Sequence, residues 1–595
     1  MQYTLYYACN ADAYQIKYSP DISFDACYLA TDGYHVFPLA KPLPLGIVHA
    51  IQTRLTKNGA NKITGWAKGL WQKIVAVDKG LDYNRAKRLT DKILTRMRLQ
   101  EHRLNAGTEP VPVWSGRWPV WDSQALEILL KTITGRILQK AEIERSLAEN
   151  GINNFTGLDL SLHYLYLQGK IDILPGVGYT GPGELQCFRC GSKTGVVPAA
   201  CARCNQACYY CEDCIMLGAA RFCEPLYRGG VEQTIPETYA AEPVLRCRGL
   251  SAAQEMAAAR LEDFVKDKFR QICLVEAVCG AGKTEVAFRG IAQALKEEAR
   301  VLYAAPRRDV ITELYPRFVE AFPGVTITAL YGGSPTKYGE AAITLATTHQ
   351  LMRFAGKFDI VFLDEADAYP YRENSVLRGV LQRALKEGSK IIYITATPDP
   401  FLYRQVRDRH ATKILLPARY HGYRLPVPEI LKSYIIRNGQ MDPVLVDWLF
   451  ERGIRRQAKV FIFVPHVSDT LVVYDILRQY FADDKCACAV HAADPERDRK
   501  KLAFQKGPVP FLVTTTIMER GITVPNAHVL VLWADNKRIF TEGTLIQMAG
   551  RTGRTVDYPA GDVLYAAATV SEPMEAAIKK IIGTNSLAGQ RGLLR

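Results

Sequence analysis

Residues 279–284 read Cys-Gly-Ala-Gly-Lys-Thr, which sets glycines, a lysine and a hydroxyl within one short turn. Gly280, Ala281 and Gly282 would let backbone N–H groups close on phosphate oxygens. Lys283 would reach the β- and γ-phosphates, and the Thr284 hydroxyl would take a Mg²⁺ coordination position. Further on, Asp364-Glu-Ala-Asp367 follows an apolar run. Asp364 is suited to hold Mg²⁺ directly or through water, and Glu365 to orient or deprotonate an attacking water. Arg551 and Arg554 close the stretch Gln547-Met-Ala-Gly-Arg-Thr-Gly-Arg554. Their i, i+3 spacing predicts two guanidinium groups on one face of a helix. Turned across a cleft, they would neutralise charge developing on a γ-phosphate. Together these groups could hydrolyse a nucleoside triphosphate.

A second chemistry lies upstream. Eight of the 15 cysteines fall between Cys187 and Cys223. Each C-x-x-C pair can present two thiolates to a tetrahedral Zn²⁺, and two pairs close a structural site. One arrangement joins Cys187/Cys190 with Cys201/Cys204. Another joins Cys187/Cys190 with Cys211/Cys214 and leaves Cys201, Cys204, Cys208 and Cys223 for a second zinc. Spacing does not choose between them. Arg189, Lys193, Arg203 and Arg221 would permit a DNA contact.

These groups need rigid elements behind them. Apolar runs at 272–278, 300–305, 343–346, 359–363 and 390–394 read as buried strands alternating with helical patterns. The helix after Leu250 has Ser251 as its expected N-cap. After a basic, proline-containing stretch the alternation resumes, with strands at 460–464, 511–513, 529–532 and 562–567. The expected fold is α/β: two tandem lobes of parallel sheet covered on both faces. A cysteine-rich zinc module and an N-terminal α+β region precede them. The boundaries read as 1–180 for that region, 185–225 for the zinc module, 245–410 for lobe one, 411–435 for a connector and 436–595 for lobe two. The loop 175–183, rich in glycine and proline, reads as a domain boundary.

The 595 residues carry a net charge of +14, with 48% apolar residues. This is a globular chain suited to a polyanionic partner. Nothing resembles a transmembrane segment or a secretory signal, which excludes an integral membrane protein of the helical kind and favours metal binding over disulfides for the cysteines. In 83–104 the residues Leu89, Ile93, Met97 and Leu104 form an apolar stripe flanked by arginines and lysines. A surface helix is the plain reading. Trp66, Trp71, Trp114, Trp118 and Trp121 fit core packing better than base stacking.

The blocks AVCGAGKT, DEAD, TATP and QMAGRTGR resemble helicase superfamily two. With YGGS, TTHQLMR, TTTIMERGITVP and the CxRCG…YCxxC module, the stretch from about Leu185 to the C-terminus is similar to the ComFA family of late competence proteins. The resemblance implies an ATP-driven translocase that draws single-stranded DNA into the cytoplasm, using ATP, Mg²⁺ and Zn²⁺. It assigns adenine reading to Gln254 and nucleotide contacts to Lys283, Thr284, Asp364, Glu365 and Gln547, with Arg551 and Arg554 as arginine fingers. It assigns strand contacts to Arg307, Thr347, Thr348 and Thr515, and coupling of hydrolysis to DNA to Thr395 and Thr397. It pairs Cys187/Cys190 with Cys211/Cys214. Other competence proteins and a membrane DNA channel are the implied partners, and the cytoplasm, at the inner face of the membrane, the implied location.

Gln547 replaces the His of true DEAD-box RNA helicases, and Thr523 replaces their ribose-contacting Asp. Both departures argue against RNA as substrate. The alternatives are a replication-restart helicase resembling PriA, an RNA helicase, and a docking platform with the ATPase as a switch.

Overall fold

The computed structural model describes residues 2–10, 13–56, 83–97, 99–100, 103–104, 111, 123–153, 155–181, 183–204, 206–231, 244–246, 249–335, 337–481, 486–516 and 524–595. The five tryptophans named above and residues 517–523 lie outside them.

Lobe one is a parallel seven-stranded sheet. Its order is Ile327–Leu330, Ile343–Thr347, Val301–Ala305, Phe358–Asp364, Leu385–Thr395, Ile272–Ala277, Thr412–Leu416. Its central strands are apolar on both faces because both are covered. On one face Val275, Tyr303 and Phe362 pack with Leu261, Phe288 and Phe318 from three helices. On the other, Leu302, Val361 and Leu363 pack with Leu377 and Leu381 of helix Ser375–Ala384. The predicted strands all form, and Ser251 caps helix Ala252–Lys266. Lobe two is a parallel six-stranded sheet in the order Glu429–Lys432, Val563–Ala567, Ala527–Leu532, Lys459–Phe463, Phe511–Thr514, Ala487–Val490.

Two expected boundaries move. The connector expected at 411–435 supplies a strand to each lobe: Thr412–Leu416 pairs with Ile272–Ala277, and Glu429–Lys432 with Val563–Ala567. Only the turn between them, where three prolines fall, spans the lobes. The cysteine-rich segment is an insertion, not a separate link in the chain. Strands Ile171–Pro175 and Pro225–Gly229 are antiparallel neighbours in one sheet with Ile137–Gln139, and the segment leaves from one and returns to the other. The loop at 175–183 is therefore where the inserted module leaves the sheet, not a link between successive domains. Its residues Val177–Gly181 pair with Glu184–Cys187 as a hairpin.

The N-terminus forms a four-stranded antiparallel sheet beneath helices Ile22–Ala30 and Leu45–Leu55. The basic helix spans Tyr83–Arg96 and buries Ala86, Ile93 and Leu94 against this layer, so its stripe is core. Leu104 lies beyond the helix end.

Candidate functional site

Strand Ile272–Ala277 delivers the chain into a loop that demands glycine. Gly280 and Gly282 have φ of +79° and +74°, the left-handed region. A Cβ on Gly282 would lie 2.2 Å from Nε2 of Gln254. Helix Lys283–Lys296 opens directly from Gly282 without a side-chain cap, so its first N–H groups are available to an anion. Gln254 braces the loop: its Oε1 accepts from the Ser251 N–H at 2.9 Å, and its Nε2 donates to the Ala281 carbonyl at 3.0 Å.

Strand Phe358–Asp364 brings the carboxylates alongside. Asp364 Oδ1 lies 3.6 Å from Lys283 Nζ and accepts from the Glu365 N–H at 2.8 Å; Oδ2 accepts from the Tyr303 hydroxyl at 2.9 Å. Burial, then the Asp364 carboxylate, push the Tyr303 hydroxyl well above its ordinary range, so it stays a donor. Glu365 sits at φ +53°, a conformation that costs energy for a non-glycine residue and recurs at functional sites. The hard oxygen donors Thr284 and Asp364, beside a glycine cradle, fit Mg²⁺ and a polyphosphate.

The other end of the acidic motif has a different task. Asp367 Oδ1 accepts from Thr395 Oγ1, and Oδ2 from Thr397 Oγ1, each at 2.5 Å. These hydroxyls hold a carboxylate rather than face a strand. Their signal in the sequence was the last letter of DEAD.

Lobe two meets the loop from the opposite side. Helix Glu542–Ala549 ends at Gly550, and Arg551 and Arg554 lie in the turn beyond it, not on one helical face as their spacing suggested. Gly553 at φ +60° takes the chain out of helical geometry. Arg551 is buried, and Arg554 Nε donates to the Gly550 carbonyl at 2.8 Å. The Cys279 thiol donates to Gln547 Oε1 at 3.1 Å, and the Gln547 Nε2 is buried with no hydrogen-bond partner among the described residues. An amide left in that state fits an absent acceptor such as a phosphate oxygen.

Arg419, which sequence reasoning missed, stitches the seam. Its guanidinium donates to the carbonyls of Gly553 at 2.6 Å and Thr552 at 2.8 Å. The next residue, Tyr420, donates its N–H to the Gly280 carbonyl at 3.3 Å. Burial, then Arg554 nearby, lower the Arg419 pKa to about 10. Nothing in the surrounding sequence marks it. The same seam holds a small cavity of about 50 Å³ lined by Val278, Cys279, Leu425, Ile546 and Lys580.

The expected strand contacts are placed unevenly. Arg307 stands at the carboxyl end of strand Val301–Ala305, where ligands meet open sheets. Thr515 follows strand Phe511–Thr514 and is half-buried. Thr347 and Thr348 are buried at the start of a tight turn, Thr348–Arg353.

The cysteines sort into two groups. Cys187, Cys190, Cys211 and Cys214 converge, as do Cys201, Cys204, Cys208 and Cys223, with sulfurs within 4.8 Å of one another in each group. Contacts of 3.5 Å (Cys187–Cys214), 3.6 Å (Cys190–Cys211) and 3.7 Å (Cys201–Cys223) are close to the ~3.8 Å edge of a tetrahedron with 2.3 Å Zn–S bonds. Burial opposes ionisation of Cys201, but the backbone N–H groups of Cys204 and Arg203 bring its thiol to about 6. Of the basic residues between the cysteines only Arg189 is committed to the interior, while Lys193 and Arg203 form exposed ion pairs. Arg189 is fully buried, Lys193 pairs with Glu184, Arg203 with Glu224, and Arg221 lies over the Tyr210 ring. The expected DNA contact at Arg189 is thereby corrected.

Two parallel-sheet lobes, a phosphate cradle with paired carboxylates on one and the Gln547–Arg554 stretch on the other, define a helicase core of superfamily two. Family comparisons agree: residues 249–400 match the type III restriction enzyme res subunit, 443–556 the helicase conserved C-terminal domain, and 124–228 the competence protein ComFA N-terminal domain. The chain is 36% identical to competence protein ComFA of Bacillus subtilis, over 68% of this chain and 86% of that one. It is 33% identical to competence protein ComFA of Streptococcus pneumoniae, over 68% of this chain and 92% of that one. Among solved structures, RecG bound to a three-way DNA junction overlays with a TM-score of 0.43 at 20% identity, over 57% of this chain and 47% of that one. The chain belongs to the ComFA family. The N-terminal match starts at residue 124, ahead of Leu185, where the motif resemblance began.

Proposed function

We propose that this chain is a Mg²⁺-dependent ATPase that translocates along single-stranded DNA and serves DNA uptake in competence. The observation that carries the reading is the seam. Cys279 of the phosphate loop and Gln547 of the other lobe share a hydrogen bond, so one nucleotide site has walls from both lobes. Membership of a family of competence proteins supplies the setting.

Bound Mg²⁺ would neutralise charge on the β- and γ-phosphates and orient them. Thr284 and Asp364 would hold the metal, and Lys283 would leave Asp364 for the phosphates. Glu365 would position the attacking water and take its proton. Arg551 and Arg554 would meet the γ-phosphate charge from lobe two, and Gln254 would read the adenine. Asp367, gripped by Thr395 and Thr397, would relay the state of the acidic motif to the sheet edge carrying Arg307. Alternation of the two lobes on the strand would then step it along. We assign zinc to both cysteine groups as structural ions.

Among the described residues no helix is long and apolar enough to cross a membrane. The proposed setting is the cytoplasm, at the inner face of the membrane, beside other competence proteins and a DNA channel.

The test is ATP turnover of the purified chain with single-stranded DNA, duplex DNA and RNA of equal length. Stimulation by single-stranded DNA above both others is expected. Equal or greater stimulation by RNA would overturn the DNA assignment.

A further inference from the structure

Glu142 is buried on a helix that belongs to neither lobe, Lys140–Glu149, yet its carboxylate receives arginines from two other parts of the chain. Arg189 Nη2 donates to both oxygens at 2.8 Å. Arg353 Nε donates to Oε1 at 2.8 Å. The Gln139 N–H donates to Oε2 at 3.1 Å and the Tyr338 hydroxyl to Oε1 at 3.5 Å. Burial alone would raise the Glu142 carboxyl pKa, but Arg189 and Arg353 outweigh it and hold the group below its ordinary value.

The two arginines come from informative places. Arg189 sits between Cys187 and Cys190, and its other nitrogen donates to the Leu217 and Gly218 carbonyls, just past Cys214. Arg353 ends the turn Thr348–Arg353 that follows lobe one's strand Ile343–Thr347. A second clamp runs in parallel. Arg383 of lobe one donates to the Met352 carbonyl at 3.0 Å, to the Phe354 carbonyl at 3.2 Å and to the carbonyl of Arg189. Cysteines of both groups share one apolar core with Leu351, Met352 and Phe354.

We propose that Glu142 is a positioning residue that ties the Cys187/Cys190/Cys211/Cys214 centre to the turn Thr348–Arg353, so that zinc occupancy and single-stranded DNA binding favour one another. This rests on the reading of lobe one as a DNA-binding lobe. Four thiolates around one divalent cation carry net negative charge. Arg189 and Arg383 lie against that knuckle and balance it. Without the cation the four cysteines lose the common anchor that fixes the knuckle, so Arg189 between them is no longer held in place against Glu142, and the contact of Glu142 with Arg353 shifts with it. The turn then loses the contact that sets its position. Reciprocity requires that whatever steadies the turn also steadies the knuckle.

The experiment measures zinc release from the full chain to a chromogenic chelator, with and without a saturating single-stranded oligonucleotide, alongside oligonucleotide affinity by anisotropy. In wild type the oligonucleotide should slow release of one zinc by at least ~5-fold. Glu142→Gln should remove that protection and weaken oligonucleotide binding about 10-fold, while turnover without DNA stays unchanged. If Glu142→Gln does not fold, Arg353→Lys, which keeps the charge but loses the planar fork, should show the same loss of protection. A folded variant that retains full protection overturns the coupling. So does a wild type that binds the oligonucleotide while zinc release stays unmoved. A wild type that binds no single-stranded DNA overturns the proposed function, and the coupling with it.

Discussion

The thiol of Cys279 and the side-chain oxygen of Gln547 lie 3.1 Å apart, in hydrogen-bond contact across the two lobes. A Cβ on Gly550, one turn on, would come within 2.3 Å of the Cys279 Cβ, so the helix end and the phosphate loop touch without spare room. Gln547 is thereby oriented with its amide nitrogen in a buried position. Gln547→Ala should lower DNA-stimulated turnover by at least ~10-fold, with a smaller effect on ATP binding, because the lost donor acts on charge that grows in the transition state. Steady-state kinetics and nucleotide binding, measured together, check it.

Lys283→Ala should abolish hydrolysis and leave the fold intact. The side chain is partly exposed and its partner Asp364 keeps the Tyr303 and Glu365 donors. An unchanged melting temperature with no turnover is the expected pair of results. Full turnover would remove the site assignment.

Thr397→Val should separate hydrolysis from motion. The substitution takes the Thr397 hydroxyl from Asp367 and leaves the Asp364–Lys283 pair in place. ATP turnover should persist while displacement of streptavidin from a biotinylated single strand falls on the order of 10-fold. An equal loss of both would place Asp367 in the chemistry itself.

Metal content should be two zinc ions per chain, one for each cysteine group. Cys214→Ser should remove one and Cys204→Ser the other. Stripping both with a chelator should lower the thermal transition of the region around 171–229, since metal binding there is linked to folding. Atomic emission and calorimetry on one sample decide the point.

Glu340 joins the N-terminal region to lobe one, meeting Arg136, Arg300 and Lys357 at 2.8 Å each. Partial desolvation of this half-exposed side chain opposes ionisation, yet Arg136 and Lys357 bring its carboxyl from 4.5 down to about 2. A group depressed in the folded state contributes stability above its unfolded pKa and loses it as pH falls. The stability gap between wild type and Glu340→Gln should therefore be full above about 4.5 and close toward pH 2. Urea unfolding at several pH values measures it. A gap independent of pH would mean that the carboxylate is not the source.

Most of the two lobes was legible because buried parallel strands leave continuous apolar runs, such as Ile272–Ala277 and Val301–Ala305. What escaped was whatever depends on contacts distant in sequence. The strands Thr412–Leu416 and Glu429–Lys432 were read as connector because prolines and basic residues surround them, and only pairing to Ile272–Ala277 and Val563–Ala567 makes them sheet. Arg551 and Arg554 have helical spacing, but Gly550 and Gly553 end the helix first. Arg189 looked like a basic surface residue because its partner Glu142 lies 47 positions away. Spacing left the cysteine pairing open, since C-x-x-C units combine equally well in either order until the hairpins Val177–Cys187 and Val196–Cys211 bring the sulfurs together.

The cysteine-bearing excursion begins and ends on adjacent, hydrogen-bonded strands, so its two stems leave the sheet side by side. A short reverse turn could bridge Pro175 to Pro225 without altering either strand. Topologically the module is a cassette: cut at its stems, it would leave both strands of the sheet paired as they are. Arg383 of lobe one on the Arg189 carbonyl, and Glu142 shared by Arg189 and Arg353, are the stitches that make this cassette part of the whole.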